Sequence, residues 1–370
     1  MKGMSLSEII IEKIKREGPV SFRDFMEMSL YYPELGYYTS VNDKIGKNGD
    51  YYTSSDLTSI FGAIIGKQME EMWEVAGMEP FTIIEYGAGT GLLCHDILEY
   101  LKNNMKLYDE LHYCIIEKSP VMRKKQQAHL HEKVSWHNST QEMPAVTGCL
   151  LAHEVVDNFS VHQVVMKEAL MEVFVDYKNG FIELLQPAKR KLVNYFRELN
   201  VSLSREFRTE INLEAIEWQK EIATCLKKGF VITIDYGYPS FELYRECRSD
   251  GTLMCYNKHM INNDPYSNIG KQDITAHVNF SALNHWGLKY GLVPCGFTNQ
   301  AAFLLSLGFE HYLSTMNEQP GGDIMAMCRK QAFLKYTLLI DMGSKYKVLI
   351  QQKGLPEKEL SGLKYPIVVS

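Results

Sequence analysis

Thr82-Ile83-Ile84-Glu85-Tyr86-Gly87-Ala88-Gly89-Thr90-Gly91-Leu92-Leu93 reads as an apolar strand, a tight glycine turn and the start of a helix near Leu92. A junction of this kind lets a ligand lie against bare backbone and face helix N–H groups. The spacing is G-A-G-T-G, whereas the dinucleotide fingerprint needs its third glycine one residue later. A Walker loop needs Gly-Lys-Ser/Thr after the turn, which is absent. Glu85, placed just before the turn, repels pyrophosphate and suits a cationic ligand.

Outward from this junction the pattern alternates between strand and helix. Strands are predicted at Phe81–Tyr86, His112–Glu117, Val134–His137 and Gly148–His153, with helices at Leu92–Lys102 and Pro120–His131. Such alternation predicts an α/β fold with a parallel, doubly wound, Rossmann-like sheet. The alternation breaks at 161. Short strands are predicted at Val161–Leu170, Met171–Tyr177 and Phe181–Leu185, then polar helical stretches at Val193–Glu198 and Glu206–Leu226. It resumes with a strand at Phe230–Tyr236, so 161–228 reads as an accessory α+β insertion. A second irregular segment covers about 237–275. Helices at Phe280–Gly287, Gln300–Leu307 and Gly322–Lys330 and strands at Val293–Thr298 and Tyr346–Gln351 complete the core over 229–370. Ahead of the first core part, 79–160, residues 1–78 read as a helical segment with a tyrosine-rich loop.

The chain has 370 residues, a formal charge of −6 and 45% hydrophobic residues, enough to bury a large core. The acidic balance argues against broad nucleic-acid binding. Eight cysteines without a C-x-x-C pair read as free thiols of a reducing compartment. No His/Cys/Asp group has metal-ligand spacing, and no apolar stretch is long enough to insert in a membrane. Met1–Pro19 lacks an apolar leader core and carries Glu8 and Glu12, which predicts a cytoplasmic protein.

Glu85 with Gly87, Gly89 and Gly91 forms E-x-G-x-G-x-G after a strand, the usual first motif of S-adenosyl-L-methionine-dependent methyltransferases. The glycines would admit the methionine portion and Glu85 would meet its amino group. Glu117, at the end of the second strand, is placed to bind ribose hydroxyls, as in dinucleotide folds. Cys149–Phe159 is apolar and then abruptly polar, which puts His153, Glu154 and Asp157 outside a strand's carboxyl end, where an acceptor would meet the donor. Carboxylates there can grip a guanidinium through bidentate bonds. The segment is not Asn/Asp-Pro-Pro-Tyr, which argues against a nucleobase or glutamine acceptor. Ile232–Tyr238 is a fifth strand pointing at the same crevice, and His277 precedes a helix that Asn279 caps.

Taken in order, these segments resemble the MidA-like family of methyltransferases, whose mitochondrial members are complex I assembly-factor protein arginine methyltransferases. The resemblance rests on Gly18–Phe22 with Met26, Leu30–Pro33 with Gly36–Tyr38, Gly49–Ser54, and Glu85–Gly91. It continues through His153–His162, Ile234–Gly237, Gly251–Leu253, Asp273–Phe280, Gln300 and Phe303-Leu304. Four positions depart from the family: His153 stands for Asn, Asn158 for Ala, Ser160 for Pro and Asp250 for Arg. The resemblance implies a Rossmann-like methyltransferase acting on a protein side chain such as arginine, and in the mitochondrial members on a respiratory complex subunit. Their place at the strand end makes Glu154, Asp157 and His153 the candidate catalytic residues, and Tyr38, Tyr52 and Thr53 join the candidate cofactor-binding residues. Tyr38, Tyr51 and Tyr52 would form crevice walls, since sulfonium and guanidinium both favour aromatic faces. Without a transit peptide the expected enzyme is bacterial-type and cytoplasmic. Two rivals remain: an assembly chaperone with a structural cofactor site, and a small-molecule methyltransferase. A dehydrogenase fits worst, because Glu85 and the glycine spacing suit a dinucleotide poorly.

Overall fold

Isoleucines and valines on both faces of the predicted core strands demand cover on both sides, and that is how the chain folds. The structure, a computed structural model, describes residues 3–40, 54–130, 133–257, 260–315, 324–367 and 369. Its central sheet contains β1 (Phe81–Tyr86), β2 (Leu111–Ile116), β3 (Val134–His137), β4 (Val146–His153), β5 (Leu226–Tyr238), β6 (Val293–Asn299) and β7 (Tyr346–Lys353). The order is β6-β7-β5-β4-β1-β2-β3. Strands β1 to β5 run parallel, and β7 lies antiparallel between β5 and β6. The Rossmann-like class expected from the alternation is therefore borne out. The antiparallel β7 separates it from the dinucleotide order 3-2-1-4-5-6.

One face packs Ile83, Leu151 and Ile232 against Ile64, Ile65 and Met72 of helix Ser59–Val75. The other packs Ile84, Leu150 and Val231 against Trp218 and Ile222 of helix Leu213–Cys225 and Phe280 and Leu283 of helix Phe280–Lys289. With both faces covered, a ligand has room only at the strand ends. Strand order reverses between β1 and β4, which opens a crevice at their carboxyl ends.

The insertion differs in detail from expectation. Residues Glu206–Leu226 were expected to be helical throughout, yet Arg208–Ile211 is a strand paired with His162–Met166. A helix begins only at Leu213, where the Asn212 side chain accepts the Ala215 N–H at 2.8 Å. The strand predicted over Val161–Leu170 ends at Met166. Val20–Ser21 joins this accessory sheet beside Leu170–Tyr177, which ties the N-terminal helices to the insertion. The segment read as irregular contains a second small sheet of Met254–Asn257, Met260–Asn262 and Asp273–Thr275. Among the described residues, no helix is long and apolar enough to cross a membrane.

Candidate active site

The turn after β1 needs left-handed backbone at three points: Gly87, Gly89 and Gly91 have φ of 59°, 53° and 86°. A Cβ on Gly91 would meet the flexible end of Leu130, Cδ1, at 2.9 Å, and the left-handed φ there strains any other residue whatever the space. Helix Leu92–Leu101 then starts with no side-chain cap. Its first N–H groups are open to a ligand's carboxylate. Glu85 is buried and accepts from the Tyr113 hydroxyl at 2.7 Å. Burial pushes its pKa up to about 7.

At the end of β2, Glu117 accepts the Ser119 N–H at 2.8 Å and Gln126 Nε2 at 3.0 Å. Burial raises its pKa, and these donors pull the other way. Each oxygen keeps capacity for one further donor, which suits vicinal hydroxyls. Gln126 also donates to the Gly89 carbonyl at 2.9 Å and accepts from Trp136 Nε1 at 2.9 Å. It thereby links the glycine turn to Glu117, a role that its place in a polar helix did not suggest. Ser119 Oγ donates to the Tyr38 carbonyl at 2.8 Å. The Tyr38 hydroxyl lies 2.7 Å from Asn158 Oδ1 and 2.8 and 2.9 Å from the Asp273 carboxylate oxygens. The N-terminal segment thus reaches both strand ends. Tyr51, Tyr52 and Thr53 lie outside the described residues.

Past β4, Glu154 takes a left-handed φ of 55°, a conformation costly for a residue with a Cβ. Asp235 of β5 holds it. Its Oδ2 accepts the N–H groups of Val155, Val156 and Asp157 at 3.2, 2.9 and 3.2 Å. The Glu154 N–H bonds the Ile234 carbonyl at 2.9 Å. The Tyr346 hydroxyl donates to Glu154 Oε2 at 2.9 Å, and the Tyr236 hydroxyl donates to Asp157 Oδ2. The other oxygens, Glu154 Oε1 and Asp157 Oδ1, are buried without a hydrogen-bond partner. Burial, reinforced by Asp157, pushes the Glu154 carboxyl up to about 8, and burial also raises Asp157. His153 packs on the Phe61 ring, centroids 5.0 Å apart, with Nε2 3.3 Å from Glu154 Oε1. Burial lowers its pKa to about 3, so it is neutral. His277 lies between Tyr236 and Tyr238 and is lowered to about 4, chiefly by burial.

Glu85, Glu117, Tyr38, His153, Glu154, Asp157, Tyr236, His277 and Tyr346 line one cavity of about 1260 Å³, with Gln126 and Asp235 behind its wall. Of the sequence-predicted residues, Glu85, Gly87, Gly89, Glu117, Tyr38, His153, Glu154 and Asp157 meet there. Gly91 stands behind the wall as the helix cap. Tyr346 and Gln126 were missed; Asp235 and Tyr236 were seen at the end of a strand pointing at the crevice, without a role.

The glycine turn with positive φ, the uncapped helix start and a strand-end carboxylate with spare acceptor capacity fit S-adenosyl-L-methionine. Fold and site together define a Rossmann-like methyltransferase. A family model of S-adenosyl-L-methionine-dependent methyltransferases matches residues 64–298, and the chain belongs to that family. Its cofactor is S-adenosyl-L-methionine. The mitochondrial protein arginine methyltransferase NDUFAF7 homolog of Drosophila melanogaster is 25% identical, over 98% of this chain and 88% of its own length. The Xenopus tropicalis protein arginine methyltransferase NDUFAF7, also mitochondrial, is 25% identical over 91% and 83%. A crystal structure from Burkholderia thailandensis with bound S-adenosyl-homocysteine superposes with a TM-score of 0.86 at 26% identity, covering 98% of this chain and 95% of that one.

The relatives overturn one expectation. They are named mitochondrial, which corrects the cytoplasmic placement. That placement rested on the composition of Met1–Pro19, but Leu6–Glu17 is a helix that buries Leu6, Ile10 and Ile14 in a core. Its composition reports packing, not an address.

Proposed function

We propose that this methyltransferase acts on the guanidinium of an arginine in a protein. The observation that carries the proposal is the pair of half-satisfied carboxylates. Glu154 and Asp157 each have one oxygen fixed by a tyrosine hydroxyl and one buried without a partner. Such orphans are costly unless a ligand completes them. A guanidinium offers planar N–H donors and a positive charge. The crevice is mainly acidic: Glu214, Glu217, Glu221 and Asp273 also line it, against Lys118 and Lys345. Its volume exceeds the usual range of about 300–1,000 Å³ for one small ligand, so a cofactor and an acceptor side chain can share it. The relatives' names support the same acceptor, and the family resemblance drawn from the sequence motifs points to a respiratory complex subunit as its protein.

In this reading Gly87, Gly89 and Gly91 admit the cofactor, Glu85 meets its amino group and Glu117 its ribose. Tyr38 walls the crevice. When bound, S-adenosyl-L-methionine supplies an electrophilic methyl on a sulfonium. Glu154 and Asp157 hold the guanidinium so that one terminal nitrogen faces that methyl, which is mainly alignment. The nitrogen–carbon bond forms as the sulfur–carbon bond breaks. Once the guanidinium's charge has ionised these carboxyls, the proton lost from nitrogen goes to Asp157 Oδ1 or Glu154 Oε1. Carboxyls raised toward neutral pH are better proton acceptors than ordinary ones. Neutral His153 packs beside Glu154 and takes no proton.

The test is methyl transfer to protein from labelled cofactor by the wild type and by Glu154→Gln and Asp157→Asn. Each variant should lose about 10²-fold or more in rate, with cofactor affinity within a factor of two or so. Undiminished transfer by both variants would remove the carboxylates from the chemistry.

A further inference from the structure

Helix Ile324–Lys335 and the π-helical turn Tyr336–Asp341 that continues it bury only Leu334 and Leu338 among their described side chains. Beside these anchors Phe333 and Tyr336 are 55% and 59% exposed. Grouped exposed apolar side chains mark interaction surfaces. The π turn is itself a rare device that recurs at functional sites. In a regular α-helix residues i and i+5 point about 140° apart. The wider turn brings them toward one face, and here Tyr336, Thr337 and Asp341 all line the crevice of Glu154 and Asp157. Phe333 lines it too. From the small second sheet, Tyr256 and Ile261 line the same crevice, with Ile261 59% exposed. The crevice therefore has apolar lips and an acidic floor.

We infer that Phe333, Tyr336 and Ile261 dock the acceptor polypeptide as a segment in which the target arginine stands between apolar side chains. The inference rests on the protein arginine reading above. Two observations argue for this occupant. The lips are continuous with the cavity of the two orphaned carboxylates, so a chain lying on them can lower one cationic side chain to the floor. The floor's charge complements a guanidinium, while Phe333, Tyr336 and Ile261 carry no charge and complement its apolar neighbours, the nearby Asp341 being paired with Lys345. A small free acceptor would need the floor and not the lips.

The test uses the full chain saturated with S-adenosyl-homocysteine and three dye-labelled peptides, read by fluorescence anisotropy. One peptide has a central arginine flanked by leucine and phenylalanine, the second has the arginine flanked by serine and glycine, and the third is the first with norleucine for arginine. The first should bind at least tenfold more tightly than the second. Phe333→Ser with Tyr336→Ser, and separately Ile261→Ser, should abolish that difference and leave melting temperature and S-adenosyl-homocysteine affinity unchanged. Equal affinity for the first two peptides, indifference to the lip substitutions, or no binding of any peptide overturns the docking surface. If the norleucine peptide binds as tightly as the first and the lip substitutions still weaken it, the docking surface stands and the guanidinium reading falls.

Discussion

Asp235 does the most for the geometry and touches no ligand in this scheme. One carboxylate oxygen gathers three successive amide N–H groups, and that turn carries both Glu154 and Asp157. Burial, reinforced by Asp157 and Glu154, raises the Asp235 pKa well above its ordinary value, so its hold on the turn rests on acceptor geometry. Asp235→Asn keeps the size but turns one acceptor into a donor facing the Tyr236 N–H. A shift of about 1 Å in a positioned group can cost about 10²-fold in rate. The variant should therefore lose kcat on that order while cofactor affinity stays put, measured by turnover and by calorimetry. A change in cofactor affinity with kcat intact would place Asp235 elsewhere. Glu85, Glu117, Glu154 and Asp157 were legible because each sits at a strand end beside a recognisable turn. Tyr346 was not, since 192 positions separate it from Glu154. Only strand register reveals it: Tyr346 pairs with Tyr236 across β7 and β5, and paired residues project to the same face.

At the scale of elements, the glycine turn makes the sharpest prediction. Gly91→Ala places a Cβ against Leu130 and forces alanine to φ 86°. Left-handed backbone costs a non-glycine residue roughly 1–2 kcal/mol. The turn should relax and withdraw the helix start from the ligand, so that cofactor affinity falls about tenfold or more, as 1.4 kcal/mol implies. Unchanged affinity in calorimetry would mean that the turn does not hold the cofactor. The central sheet was readable because its strands are apolar on both faces. The strand Arg208–Ile211 was not, because its buried face includes Glu210, whose carboxylate accepts the Thr252 N–H and hydroxyl at 2.9 Å each. A buried acid satisfied from 42 residues away looks like helix surface in the sequence. The strands of the second small sheet have three or four residues, too few for a period to show.

For the whole molecule, the buried acids predict how stability depends on pH. Glu85 and Glu154 are raised from 4.5 to about 7 and about 8, and Asp157 is raised as well. The folded state then holds protons that the unfolded state has released, so these groups lose stability as pH rises from about 4.5 to 8. His153 and His277, lowered from 6.5 to about 3 and about 4, act in the opposite sense, but only below about 6.5. Between about pH 6.5 and 8 the acids act alone among these five groups. The melting temperature of the cofactor-free protein should fall across that window, and Glu154→Gln should flatten the fall. Adding the cationic cofactor should raise the melting temperature more at pH 8 than at pH 6.5, and its binding should release protons, seen as a buffer-dependent binding enthalpy. A melting temperature that rises with pH through the window would mean that these carboxyls are ionised in the folded protein.

The most direct measurement is the chemical identity of the methylated atom. Protein labelled by the enzyme with radioactive S-adenosyl-L-methionine would be hydrolysed to amino acids and the label located by chromatography. The guanidinium site formed by Glu154 and Asp157 predicts label in methylated arginine and nowhere else. Label in lysine, in a carboxyl ester or only in the small-molecule fraction would contradict it.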